Sequence, residues 1–197
     1  MIVEEVVRFG SSSAQSESLE RALVEIKSAI SSITADSLIS AQANLRESDK
    51  SISKIVSGLI NQNLREKGWA SNWRFNNQVT STHASFDQKW QRDSHSGIVV
   101  LDIGSKASDG LLGFLLKGQL AAEQNSLVDG HVVICFTRAC IKWGLWNGKV
   151  ASFEDAKKIL PLLQHRRVIP AVLIGVGPAS DLKITKTVAG TLRLSRV

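Results

Sequence analysis

The sequence has few cysteines and no long apolar run, and both absences exclude classes of protein. It contains two cysteines, Cys135 and Cys140, without a CxxC pair or a His and Cys cluster that would predict a zinc site. No stretch of 18 apolar residues predicts a membrane span. The first residues, MIVEEVVRFG, lack the basic segment and apolar core of a secretory signal. We therefore expect a cytoplasmic protein.

The common motifs of nucleophilic and nucleotide-dependent enzymes are also missing. There is no GxSxG elbow, and no obvious nucleophile lies beside any of the four histidines, which are His83, His95, His131 and His165. Two glycine-containing segments, GIVVLDIGSKASDG and LIGVGPAS, resemble phosphate-binding loops only loosely and match neither GxGxxG nor GxxxxGK[ST]. A protein that binds a nucleotide or another small molecule remains a weak alternative.

The composition is typical of a globular protein with a basic surface. The chain has 197 residues, of which 43% are hydrophobic and 21% charged, so we predict a single domain over 1–197. A net charge of +6 and a pI of about 9.6 favour a polyanionic partner such as nucleic acid. The five tryptophans lie in polar segments, where they either anchor loops on the core or line a surface.

Hydrophobic spacing predicts an α/β fold. Helical periodicity predicts helices over 15–33, 51–66, 109–126 and 153–164. β-Branched and apolar runs predict buried strands over 98–103, 131–136 and 170–176. The polar segment 34–50 is predicted to be a loop, 69–96 to hold a short strand around 73–79, and the tail after Pro178 to add an edge strand. This order implies helices packed on a largely buried sheet.

The segment RDSHSGIVVLDIGSK, residues 92–106, carries the strongest chemical signal. Asp102 lies inside an otherwise apolar strand, where a carboxylate is costly unless it meets a cation or another partner. Asp93 precedes it by nine residues, so a turn between them would let both carboxylates face one point and bind Mg²⁺. The spacing alone leaves open that Asp93 is a surface residue and that Asp102 caps a turn.

The order of these segments resembles the BstYI/BglII type of type II restriction endonuclease, within the PD-(D/E)xK nuclease superfamily. That family has an Asp, eight further residues and Glu-x-Gln at the end of a buried strand; the matching positions are Asp93, Asp102 and Gly104. Four further segments are similar to the family: VEIKSAISSI, LREKGW, LVDGHVVICF and RRVIPAVLIGVGP. The resemblance implies a restriction-endonuclease-like fold with a central mixed sheet flanked by helices.

The resemblance also implies a function. It implies a homodimeric, Mg²⁺-dependent endonuclease of a restriction-modification system that cuts double-stranded DNA at a short palindrome with a GATC-type core. Two departures affect the site: Asp102 replaces the family's Glu, and Gly104 offers no side chain where the family has Gln. Lys106 is the nearest substitute, and would share a face with residue 104 if the strand continued. A catalytically impaired protein that binds DNA or a partner protein is therefore the main alternative.

Two polar segments follow neighbouring predicted strands and are expected to lie on one rim of the sheet. Basic side chains there can reach guanine edges or phosphates, and Asn and Ser can meet bases. If they are not ordinary solvated loop residues, this rim binds DNA through Ser105, Lys106, Arg138, Lys142, Asn147 and Lys149.

Overall fold

A six-stranded mixed sheet forms the centre of the fold. The computed structural model describes residues 1–9, 16–44, 51–76, 83–92, 97–104, 110–144, 150–163, 169–186 and 192–197. The strands are β1 (Ile2–Phe9), β2 (Ala70–Asn76), β3 (His83–Trp90), β4 (Ile98–Ile103), β5 (Val128–Phe136), β6 (Ala171–Gly177), β7 (Leu182–Lys186) and β8 (Leu192–Arg196). The helices are α1 (Glu17–Ser31), α2 (Ala35–Ala43), α3 (Ile52–Glu66), α4 (Leu111–Gln124), α5 (Arg138–Trp143) and α6 (Phe153–Leu163).

The sheet has the order β1-β6-β5-β4-β3-β2. Its three central strands, β4, β5 and β6, are parallel, whereas β1, β2 and β3 pair antiparallel at the two sides. Every residue of β4 and β6 is buried, because helices cover both faces of the parallel strands. This explains why both sequences are apolar, except at Asp102 of β4. All three predicted central strands are confirmed.

Helices pack on both faces of the sheet, so the predicted class, a mixed central sheet flanked by helices, is confirmed. One face packs on α1, α2 and α3 in a core that includes Ile26, Ile60 and Leu101. The other face packs on α4 and α6, in smaller clusters that include Leu115 and Phe153. The four predicted helices correspond to α1, α3, α4 and α6. Within the described ranges, no helix is long and apolar enough to cross a bilayer.

The prediction of a loop over 34–50 was wrong in part, because α2 occupies Ala35–Ala43. This helix begins with a capping box, in which Thr34 and Ser37 bond to each other's backbone N–H. It buries few side chains, among them Leu38, so its apolar spacing was too sparse to predict a helix. The edge strand β1 was not foreseen either, because two adjacent glutamates interrupt its apolar pattern.

Segments on either side of the predicted strands also contain more structure than expected. The polar region 69–96 holds two strands, β2 and β3, which pair antiparallel. The tail forms a separate two-stranded sheet, β7-β8, and does not extend the main sheet as an edge strand. Gln42 of α2 connects to this small sheet, since its side chain bonds to the carbonyl of Leu192 and the N–H of Leu194.

Candidate active site

Asp102 lies at the carboxyl end of β4 and is almost fully buried, with 2% of its surface exposed. Side chains alternate along the strand, so Asp102 shares a face with Val100 and points toward α4, opposite the α1–α3 core. Ligands of open α/β sheets commonly bind outside the carboxyl ends of the strands. The one carboxylate of β4 therefore lies at the edge where a site is expected.

Lys117 of α4 is the counter-ion of Asp102. Its Nζ lies 2.5 Å from Oδ1 of the carboxylate, and the lysine side chain is 21% exposed. The ammonium also lies 4.5 Å from the ring centroid of Phe86 and 5.7 Å from that of Phe114. Two aromatic faces therefore hold the cation against the carboxylate, through a favourable interaction between the charge and the rings.

His131 of β5 approaches the other oxygen of the carboxylate. Its Nε2 lies 3.3 Å from Oδ2 of Asp102, and its side chain is fully buried. The ring meets Phe86 edge-on at a centroid distance of 5.8 Å, and Gly118 of α4 lies directly over it. Asp102 is thus held from two elements, the helix α4 and the neighbouring strand β5.

A second carboxylate, that of Asp87 on β3, bonds to the backbone beside Asp102. Its Oδ2 accepts a hydrogen bond of 2.6 Å from the N–H of Ile103, the residue that follows Asp102. The backbone pairing between β3 and β4 covers residues 88–90 and 99–101. The side-chain bond of Asp87 therefore joins the two strands beyond the last backbone pair. Asp87 is therefore a second acidic residue that contacts the end of β4, next to Asp102.

Gly104 directly follows the last residue of β4 and adopts a conformation that other residues rarely adopt. Its φ is +122°, its N–H donates to the carbonyl of Ile134, and a Cβ placed there would meet no atom within 4 Å. Because β4 ends at Ile103, the alternation that would place residues 104 and 106 on one face does not apply. Strand alternation therefore gives no reason to place Lys106 in the site.

The two cysteines are not available as nucleophiles at neutral pH. Burial raises the pKa of the Cys135 thiol to about 12, and the negative charge of Asp102 adds to the effect. Burial also raises the pKa of Cys140 to about 12, with a smaller contribution from Glu4. Since the thiolate is the reactive form, both side chains act as small apolar residues.

Arg138 and Lys142 lie on α5, which directly follows the carboxyl end of β5. They are four residues apart, so they share one side of this short helix, and both are exposed. Arg138 also contacts the first turn of α6, through an ion pair of 2.8 Å with Asp155 and a backbone bond to Glu154. The end of the sheet where the sequence predicts a DNA-binding rim therefore carries these two cations. The charge of Arg138 is partly neutralised by Asp155.

The remaining predicted site residues lie outside the described residues. They are Asp93, Ser105, Lys106, Asn147 and Lys149. Their assignments stay predictions, as does the pairing of Asp93 with Asp102.

The residues that sequence reasoning missed are those that surround Asp102. Asp87, Lys117 and His131 come from three different elements, and no local motif links them to β4. One signal was present in the sequence: Lys117 and Gln119 are the polar residues in the middle of an apolar helix. A lysine in such a helix, next to a strand that contains a buried carboxylate, is a candidate for its counter-ion.

Comparisons with known proteins agree with this architecture. No protein-family model matches the sequence, and no curated protein matches it. Among solved structures, the chain is similar to restriction endonuclease BglII complexed with a DNA 16-mer, with a TM-score of 0.64 at 13% identity. It is also similar to free BglII, with a TM-score of 0.52 at 12% identity; each match covers 98% of this chain and 90% of the other. The chain therefore has the fold of a BglII-type restriction endonuclease.

Proposed function

We propose that this protein is a metal-dependent type II endonuclease that hydrolyses phosphodiester bonds in double-stranded DNA. The observation that carries the proposal is the buried carboxylate of Asp102 at the carboxyl end of a central strand, in a chain with the BglII-type fold. In this proposal Asp102 binds the metal and His131 holds its carboxylate in place, while Lys117 neutralises the carboxylate in the metal-free protein.

We propose a magnesium site of the open kind, which needs few protein ligands. Mg²⁺ takes oxygen ligands and keeps several waters, so one or two carboxylates can hold it beside a phosphate. Asp102 supplies one carboxylate, and we propose Asp93 as the second, with Asp87 as a further candidate. Among the described residues no group of three or more His, Cys, Asp or Glu forms a complete cage. Bound there, the cation would polarise the phosphodiester and favour formation of the attacking hydroxide.

The substrate follows from the sequence resemblance. We propose a short palindrome with a GATC-type core, cut by a homodimer in which each subunit reads a half-site. Incubation of plasmid DNA with the protein and Mg²⁺ should give discrete fragments whose mapped ends share one sequence, and EDTA should prevent cleavage. Oligonucleotide duplexes with and without GATC then test the core. Random degradation, or cleavage that persists in EDTA, would contradict the proposal.

A DNA-binding protein without catalytic activity is the second candidate. Gly104 offers no side chain beside Asp102, and Lys117 already occupies one oxygen of the carboxylate. Both features favour a protein that binds DNA and does not cut it. Sequence-selective binding, together with intact plasmid after incubation with Mg²⁺ and with Mn²⁺, would support this candidate over the nuclease.

Binding through the rim predicts a specific change in salt dependence. Replacing both Arg138 and Lys142 with Ala should lower the slope of log K against log salt by about one for each phosphate that the variant no longer neutralises. The control removes the same charge elsewhere, through Arg8→Ala and Arg21→Ala. Arg8 pairs with Val172 near the amino end of β6, whereas the proposed DNA-binding rim lies at the carboxyl ends of the strands. Both arginines are at least half exposed. If the two double variants gave equal slopes of log K against log salt, α5 would not be part of the DNA interface.

An apolar stripe on α4 supports the proposed homodimer. Leu112 and Leu120 are each 46% exposed, and Leu116, which is half-buried, lies between them on the same side of the helix. We expect Leu120→Glu to shift the dimer toward monomer in sedimentation equilibrium. Val24→Glu on α1, at a more exposed but isolated apolar position, should leave the oligomeric state unchanged. A monomeric wild type at micromolar concentration would contradict the dimer.

A further inference from the structure

The carboxylate of Asp102 is fully engaged by residues of the chain. Lys117 takes Oδ1 at 2.5 Å, and His131 lies 3.3 Å from Oδ2. The carboxylate is almost completely removed from water, so its charge would be strongly unfavourable without a cation beside it. In the metal-free protein, Lys117 is the cation that satisfies this requirement.

We propose that Lys117 competes with the divalent cation for Asp102, so that metal binding must displace the ammonium from Oδ1. This inference rests on the proposed function, since it assumes that Asp102 is a metal ligand. A divalent cation bound to the carboxylate would lie within a few ångströms of the lysine nitrogen. The two positive charges repel each other strongly at such a distance when water is largely excluded.

The surroundings of Lys117 allow this exchange. The side chain is 21% exposed, so the ammonium can move toward solvent without crossing the core. Its stem is long and flexible, whereas His131 is fully buried beneath α4 and lies on a central strand. Lys117 is therefore the partner that gives way, and His131 is the partner that keeps Asp102 oriented. Lys117 therefore lowers the metal affinity of Asp102 and stabilises the metal-free fold.

Thermal denaturation without DNA tests the competition. In EDTA, Lys117→Met should melt roughly 5–15 °C below the wild type, because a buried carboxylate is left without its partner. Added Mg²⁺ or Mn²⁺ should raise the melting temperature of Lys117→Met more than that of the wild type. Titration calorimetry with Mn²⁺ should show metal affinity about tenfold higher in the variant.

Two further variants separate competition from general loss of stability. The double variant Lys117→Met/Asp102→Asn removes both charges, and should recover most of the melting temperature in EDTA while losing the response to metal. Lys157→Met, which breaks a surface ion pair with Glu5, should leave the response to metal unchanged. If Lys117→Met does not fold, Lys117→Arg keeps the charge and should retain the weak metal affinity of the wild type.

The outcomes are distinct from those of the cleavage assay. Metal affinity in Lys117→Met equal to or below that of the wild type would overturn the competition, as would a wild type that binds neither metal. A protein that shows the competition but cuts no DNA would preserve this inference and would refute the proposed nuclease activity.

Discussion

Asp102→Asn is expected to reduce Mg²⁺-dependent DNA cleavage by roughly 10³-fold or more, the scale on which removal of a central catalytic group acts. The substitution keeps the shape of the side chain and removes the negative charge that would attract the cation. The fold should persist, because the amide can still accept a hydrogen bond from Lys117, which reaches solvent. Plasmid cleavage at saturating Mg²⁺ and DNA binding measured in EDTA give the two readouts.

DNA binding by Asp102→Asn should be equal to or stronger than that of the wild type, because a negative charge near the phosphates has been removed. The matched control is Asp36→Asn, at a 73% exposed carboxylate that pairs with Arg196 on the surface. That variant should cut at the rate of the wild type. Normal cleavage by Asp102→Asn would contradict the proposal that this residue binds the metal. Asp93→Asn, assayed in parallel, tests the proposed second ligand.

Elements with strong apolar spacing could be predicted from the sequence, and weakly spaced ones could not. The strand β4 is buried on both faces, so its sequence is apolar except at Asp102. This exception marks Asp102 as a candidate site residue, because a buried charge needs a partner. By contrast, α2 depends on its capping box and few buried side chains, and β1 contains adjacent glutamates. Local composition in these two segments does not distinguish the observed elements from loops.

The partners of Asp102 could not be predicted because they depend on how α4 is placed over the sheet. Lys117 and His131 are 15 and 29 residues from Asp102 along the chain. Their contacts follow from the rotation of the helix about its axis and from the alignment of β4 with β5. The positive φ at Gly104 is likewise a property of the folded chain. It also means that Gly104→Gln, which would introduce the glutamine of the endonucleases that the sequence resembles, would strain the backbone at that position.

Gly118→Ala is expected to be the most destabilising small substitution on α4. An added Cβ would overlap the base of the His131 ring, at a separation below 3.0 Å that real Cβ atoms essentially never show. His131 is fully buried and cannot move aside easily, so the helix must rise from the sheet. Overpacking of this kind costs roughly 1–3 kcal/mol. The shift would also separate the neighbouring Lys117 from Asp102, which should weaken the ion pair.

The matched control lies on the same helix and carries the same chemical change. A Cβ at Gly113 would meet no atom within 4 Å, and Ala is favoured over Gly in a helix by about 0.5–1 kcal/mol. Gly113→Ala should therefore raise the free energy of unfolding in urea, whereas Gly118→Ala should lower it. Because the gain in helix propensity is common to both variants, the difference between them measures the contact with His131. If the two variants were equally stable, α4 would not approach β5 as closely as the structure places it, and the support that His131 and Lys117 give to Asp102 would need a different geometry.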